Sequence, residues 1–142
     1  MRYKFASALV IAASALFSNG VAAAVIPLNA QLTGSQEVPS VQSAGKGQLQ
    51  ATLDTSSSLL RWKVTYTGLS GPLTAGHFHG PAGKTDNAGV AVGFKGNLDS
   101  PIVGEMTLSP AQMGELMDGK WYVNLHTAMY PKGEIRGQVM PH

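Results

Sequence analysis

Two stretches in the first half of the chain alternate polar and apolar side chains with a period of two, and no other feature restricts the fold as much. Leu49, Ala51 and Leu53 alternate with Gln48, Gln50 and Thr52. Leu60, Trp62, Val64 and Tyr66 then share one face while Arg61, Lys63, Thr65 and Thr67 take the other. Successive side chains of an extended strand point to opposite sides, so each run predicts a strand with one face in a core and one in water. The turn-forming residues 54–58 between them join the two into a hairpin.

The same reading extends along the chain. Residues 26–32, residues 73–79, the set Val90, Val92 and Phe94, the set Ile102, Met106 and Leu108, residues 121–127 and residues 134–140 all read as strands. Seventeen Gly and eight Pro in 142 residues supply the turns. Helical period occurs once. Ser109 is a good N-cap, Pro110 suits the first helical position, Gln112 completes a capping box, and Met113, Leu116 and Met117 share a face. Gly119 then predicts a left-handed stop. About eight short strands with one short helix imply an all-β, antiparallel Greek-key β-sandwich or barrel. No internal repeat divides the chain, and its length suits one domain, expected over residues 25–142.

Residues 1–24 read as an address rather than as part of that fold. Arg2 and Lys4 precede an apolar run over residues 5–17, and Ala22, Ala23 and Ala24 follow. This is the layout of a secretory signal peptide, with cleavage after Ala24 or Ala23. Its roughly 13 apolar residues are too few for a bilayer core that needs about 20. The expected location is periplasmic or secreted, with no membrane span after cleavage. Removing Arg2 and Lys4 leaves eight basic and eight acidic side chains. A neutral chain without a basic run offers no field for phosphate backbones, so nucleic acid is not an expected partner.

The chain has no Cys. Disulfide staples, thiolate ligands and thiol nucleophiles are therefore excluded, and site chemistry falls to His, carboxylate, Met or backbone. No Gly-x-Ser-x-Gly elbow occurs, residues 80–89 lack the ending of a phosphate loop, and nothing places Glu37 and Asp86 as a glycosidase pair.

Histidine is the informative residue. His77 and His79 lie two apart in Gly-His-Phe-His-Gly, so on a strand both rings leave one face and Phe78 leaves the other. His126 shares a face with Tyr122 and Asn124, opposite Trp121, Val123 and Leu125. If the apolar faces fill the core, three imidazoles lie outside it, and whether residues 80–89 cover them is left open. Three neutral imidazoles suit a copper ion, with zinc as the alternative. The same spacing also suits polar strand residues that order loops. Glu134 shares a strand face with Arg136. It is placed to accept the second ring N–H of His126, or to form an ordinary surface ion pair with Arg136. Asn124 is the other candidate supporting residue. Met129, near His126, reads as a gap filler before a thioether ligand, and His142, at a fraying end, as a bystander.

Three ordered segments carry a family resemblance. Leu32-Thr-Gly-Ser-Gln-Glu-Val-Pro39, Ala75-Gly-His-Phe-His-Gly80, and Trp121-Tyr-Val-Asn-Leu-His-Thr127 with Tyr130-Pro-Lys-Gly-Glu-Ile-Arg-Gly-Gln138 resemble the landmarks of the CHRD domain, named from chordin. The resemblance spans about residues 28–140. It implies an extracellular, immunoglobulin-like or dismutase-like β-fold and draws the family's motif histidines onto His77, His79 and His126. The His-x-His strand is also distantly similar to that of copper-zinc superoxide dismutase. The chain lacks that enzyme's disulfide cysteines, its bridging and zinc-site histidines and its aspartate-bearing zinc loop. The leading expectation is a secreted or periplasmic protein that binds copper without turnover. The alternatives are a module that recognises a secreted protein partner and a dismutase-like oxidoreductase.

Overall fold

The computed structural model describes residues 22–142. The leader expected over residues 1–24 lies outside the described residues except for its last three. Among the described residues, nine strands, one short 3-10 helix (Gly34–Gln36, after β1) and one α-helix follow in chain order: β1 (Val25–Thr33), β2 (Lys46–Asp54), β3 (Leu59–Thr67), β4 (Leu73–His79), β5 (Val90–Gly93), β6 (Ile102–Thr107), α1 (Pro110–Met117), β7 (Tyr122–Thr127), β8 (Ile135–Gln138) and the two-residue β9 (Met140–Pro141). Every strand pairing is antiparallel, and the sheet runs β5-β4-β7-β8-β1-β2-β3-β6, with β9 added on β1. The eight long-path strands curl into a nearly closed barrel. Of the two architectures expected, the barrel is the one adopted.

The barrel follows from the alternation. Leu49, Leu53, Leu60 and Val64 are fully buried, whereas the intervening Gln48, Gln50, Arg61 and Lys63 are exposed. Burial of each such aliphatic side chain stabilises the fold by about 1.5–3 kcal/mol relative to exposure, and without disulfides this term dominates. The edge strands β5 and β6 approach each other across Trp62, which stacks on Phe94 at 5.6 Å and meets Phe78 edge-on at 5.3 Å. Gly104 on β6 is where this indole lies, because a Cβ there would come within 2.4 Å of its ring.

The helix starts and stops where its caps dictate. The Ser109 hydroxyl accepts from the Gln112 N–H and the Gln112 side chain accepts from the Ser109 N–H, the two halves of a capping box. Gly119, at φ +69°, ends it. Leu116 is buried, while Met117 lies 36% exposed. Phe78, Val123 and Leu125 point into the core with Trp121, so the opposite faces of β4 and β7 present His77, His79, Tyr122, Asn124 and His126 to the outside of the barrel.

Candidate metal centre

β4 and β7 are direct neighbours, and their register decides which outer side chains meet. Ala75 lies opposite His126, His77 opposite Asn124, and His79 opposite Tyr122. His77 is thus one diagonal step from His126, within reach of a ring across an antiparallel pair. The donor nitrogens of His77, His79 and His126 all lie within 4.8 Å of one another. His77 and His126 are closest, with Nδ1 of the first 3.1 Å from Nε2 of the second. Nitrogens bound to one ion at about 2.0–2.1 Å stand roughly 3–4 Å apart, so small ring rotations suffice to close the set.

Backbone carbonyls fix the tautomers. His126 Nδ1 lies 2.9 Å from the Pro131 carbonyl and His79 Nδ1 lies 3.0 Å from that of Ala88. A carbonyl only accepts, so both Nδ1 atoms carry their protons and both Nε2 atoms present lone pairs. The 3.1 Å contact is then a bond donated by His77 Nδ1–H to His126 Nε2. A metal ion would take the place of that shared proton, and the His77 proton would move to Nε2. His79 Nε2 is buried and has no hydrogen-bond partner among the described residues, as expected for a lone pair that a bound ion would take up.

Burial also holds all three rings in the ligating form. Desolvation pulls each below the ordinary histidine range. For His77, the neighbouring His126 and His79 add to it; for His126, the bond to Pro131 opposes it. For His79, the Ala88 bond opposes and His126 reinforces. Neutral imidazole is the form a metal needs.

The column beside the site is equally ordered. The His79 ring stacks on Tyr122 at 4.9 Å with an interplanar angle of 4°, and the Arg136 guanidinium lies 3.5 Å from the centre of the Tyr122 ring. Arg136 donates to the carbonyls of Gly83 and Asp86 and to the Asn87 side chain, and Gln138 donates to the Ala82 carbonyl. Tyr122 bonds both the N–H and the C=O of Ala88. Residues 82–88 are thereby clamped against His79, which the sequence left open, and Ala88 O is the atom that sets the His79 tautomer.

Both expected supporting residues act elsewhere. Glu134 does not touch His126, whose Nδ1 is taken by Pro131. Its carboxylate instead accepts from the hydroxyls of Ser43, Ser70 and Thr127 and from the Ser70 N–H. Burial raises its pKa, but these hydrogen bonds outweigh that and hold it below the ordinary carboxylate range. Nor is it in a surface ion pair: Glu134 and Arg136 are each 1% exposed, and the one ion pair among the described residues is Arg61–Glu105. Asn124 donates to Glu37 and not to a histidine. Met129 is exposed and His142 lies outside the cluster. Nothing local in the sequence ties Asn124 to Glu37, which lies 87 positions away within the Leu32-to-Pro39 landmark.

A CHRD domain model matches residues 28–139. The chain belongs to the CHRD family. No solved structure matches it. These comparisons lend no support to the distant dismutase likeness. Within the CHRD fold described here, the second and third landmark segments are β4 and β7 with β8, the strands that carry the three histidines and the Arg136 clamp.

Proposed function

We propose that this CHRD protein is exported after loss of residues 1–24 and binds a transition-metal ion through His77, His79 and His126. The reading rests above all on two imidazoles locked by carbonyls with their Nε2 lone pairs presented beside a third ring. An all-imidazole set without thiolate suits copper and zinc, and the order of divalent affinities favours copper. Three protein ligands leave room for a further ligand, so the site is suited to holding or handing over an ion. The leader and the location, periplasmic or secreted, rest on the sequence pattern of the first 24 residues.

The test is a copper and zinc titration of the purified protein beside His77→Ala, His79→Ala and His126→Ala. One equivalent is expected to bind to the parent protein and to be lost from each variant, with the strand spectrum unchanged. Undiminished binding in the variants would reject the assignment.

A further inference from the structure

A second cavity adjoins the histidines and shares only His79 with them. A cavity of about 520 Å³ opens between residues 37–41, Asn87 and Ala88 of the clamped loop, Tyr122 and Asn124 of β7, and the β7–β8 turn. Cavities of this size hold small organic molecules. Two acceptors on its wall, on Asn124 and Glu37, are short of donors. Asn124, 3% exposed, spends its amide N–H on Glu37, which leaves the carbonyl Oδ1 as an acceptor, and that atom is buried with no partner. Glu37 is 8% exposed and has no ion-pair partner among the described residues; both terminal nitrogens of nearby Arg136 are engaged by residues 83–87. The remaining wall includes Val38, Pro39, Met129 and Pro131. Lys132, at the rim, is exposed to solvent.

We infer that this cavity binds a small primary amine, held as its ammonium by Glu37 and Asn124 Oδ1, with its hydrocarbon part against Val38, Pro39 and Met129. A buried carboxyl with a single amide donor and a buried carbonyl oxygen with none are matched by a ligand that brings N–H donors and positive charge. A neutral apolar ligand would leave both unpaired, and an anion would be repelled. Burial pushes the Glu37 carboxyl up to about 7 in spite of Arg136, as expected for an acid lacking a counter-charge. Gly133 belongs to the same arrangement: at φ +127° it passes so close to Glu37 and Asn124 that a side chain there would displace them.

The probe is 2-phenylethylammonium, titrated calorimetrically into metal-free protein above pH 7, where Glu37 is ionised. Its neutral counterpart 2-phenylethanol serves as the control of shape. The ammonium is expected to bind and the alcohol to bind at least about tenfold more weakly, the usual worth of a charge-assisted hydrogen bond. Glu37→Gln should erase that preference, with its melting curve confirming the fold. His77→Ala, which removes a metal ligand outside the cavity, should bind the ammonium as the parent does, so that this inference and the metal reading fail separately. Equal affinity for the alcohol, unchanged ammonium binding in Glu37→Gln, or no binding at millimolar concentration would each overturn it.

Discussion

Glu37 and Glu134 are both buried carboxyls in landmark segments, yet the protein treats them oppositely. Four hydrogen bonds surround Glu134, so its folded pKa lies below the unfolded value and the ionised form is favoured on folding. Its contribution is present above the ordinary carboxylate pKa and is lost as the pH falls through the folded one. Glu134→Ala should destabilise the barrel by about 3 kcal/mol or more, since it strands buried hydroxyls, and urea melts at neutral pH measure this. Glu37 has one hydrogen bond and a raised pKa, so stability is lost as pH rises from the unfolded value toward about 7. Glu37→Gln is therefore expected to raise the melting temperature of the metal-free protein at pH 8 and to change it little at pH 4. A lower melting temperature at pH 8 would contradict this account of Glu37. The histidines titrate below their ordinary range, so metal affinity should stay level down to about pH 6.5 and fall in more acid solution as protons compete.

At the level of strands and loops, local pattern carried most of the information. The periodic runs marked all eight main strands, and Ser109, Pro110, Gln112 and Gly119 marked both ends of the helix. Side-chain parity on β4 and β7 put the three histidines on the outer face, because period two is a property of the strand itself. What stayed hidden were the partners of the buried polar side chains around the histidines. Glu134 meets Ser43 and Ser70, Glu37 meets Asn124, and Arg136 holds residues 83–87, all through pairings such as β8 on β1 that leave no local trace. The clamp makes a further prediction. Arg136→Lys loses the planar fork that spans several loop acceptors and the flat stack on Tyr122. Amide exchange in residues 82–88 should accelerate at least about tenfold, and metal affinity should fall by about 10–100-fold as Ala88 O releases the His79 tautomer. An exchange pattern identical to the parent's would show that the loop is held by other contacts.

Across the whole molecule, the barrel divides its labour between two surfaces of the same strands. Inward faces supply the aliphatic and aromatic core that a chain without disulfides requires, and Trp62 fills the gap where β5 and β6 do not pair. Outward faces of β4, β7 and β8 carry imidazoles, Tyr122, Asn124 and Arg136, rigidly spaced by the ladder beneath them. Rigid strands suit ligand geometry better than loops do, and loops contribute only the cover, residues 80–89, and the Pro131 carbonyl behind His126. Binding an ion to such a preformed face should raise the melting temperature in proportion to the logarithm of free metal, without a change in strand content.

The most direct test of the central claim is X-ray absorption at the copper edge of protein loaded with one equivalent. The account predicts a first shell dominated by about three imidazole nitrogens near 2.0 Å, reduced by one in His126→Ala. A shell of oxygen ligands alone, or one that is the same in the variant, would contradict it.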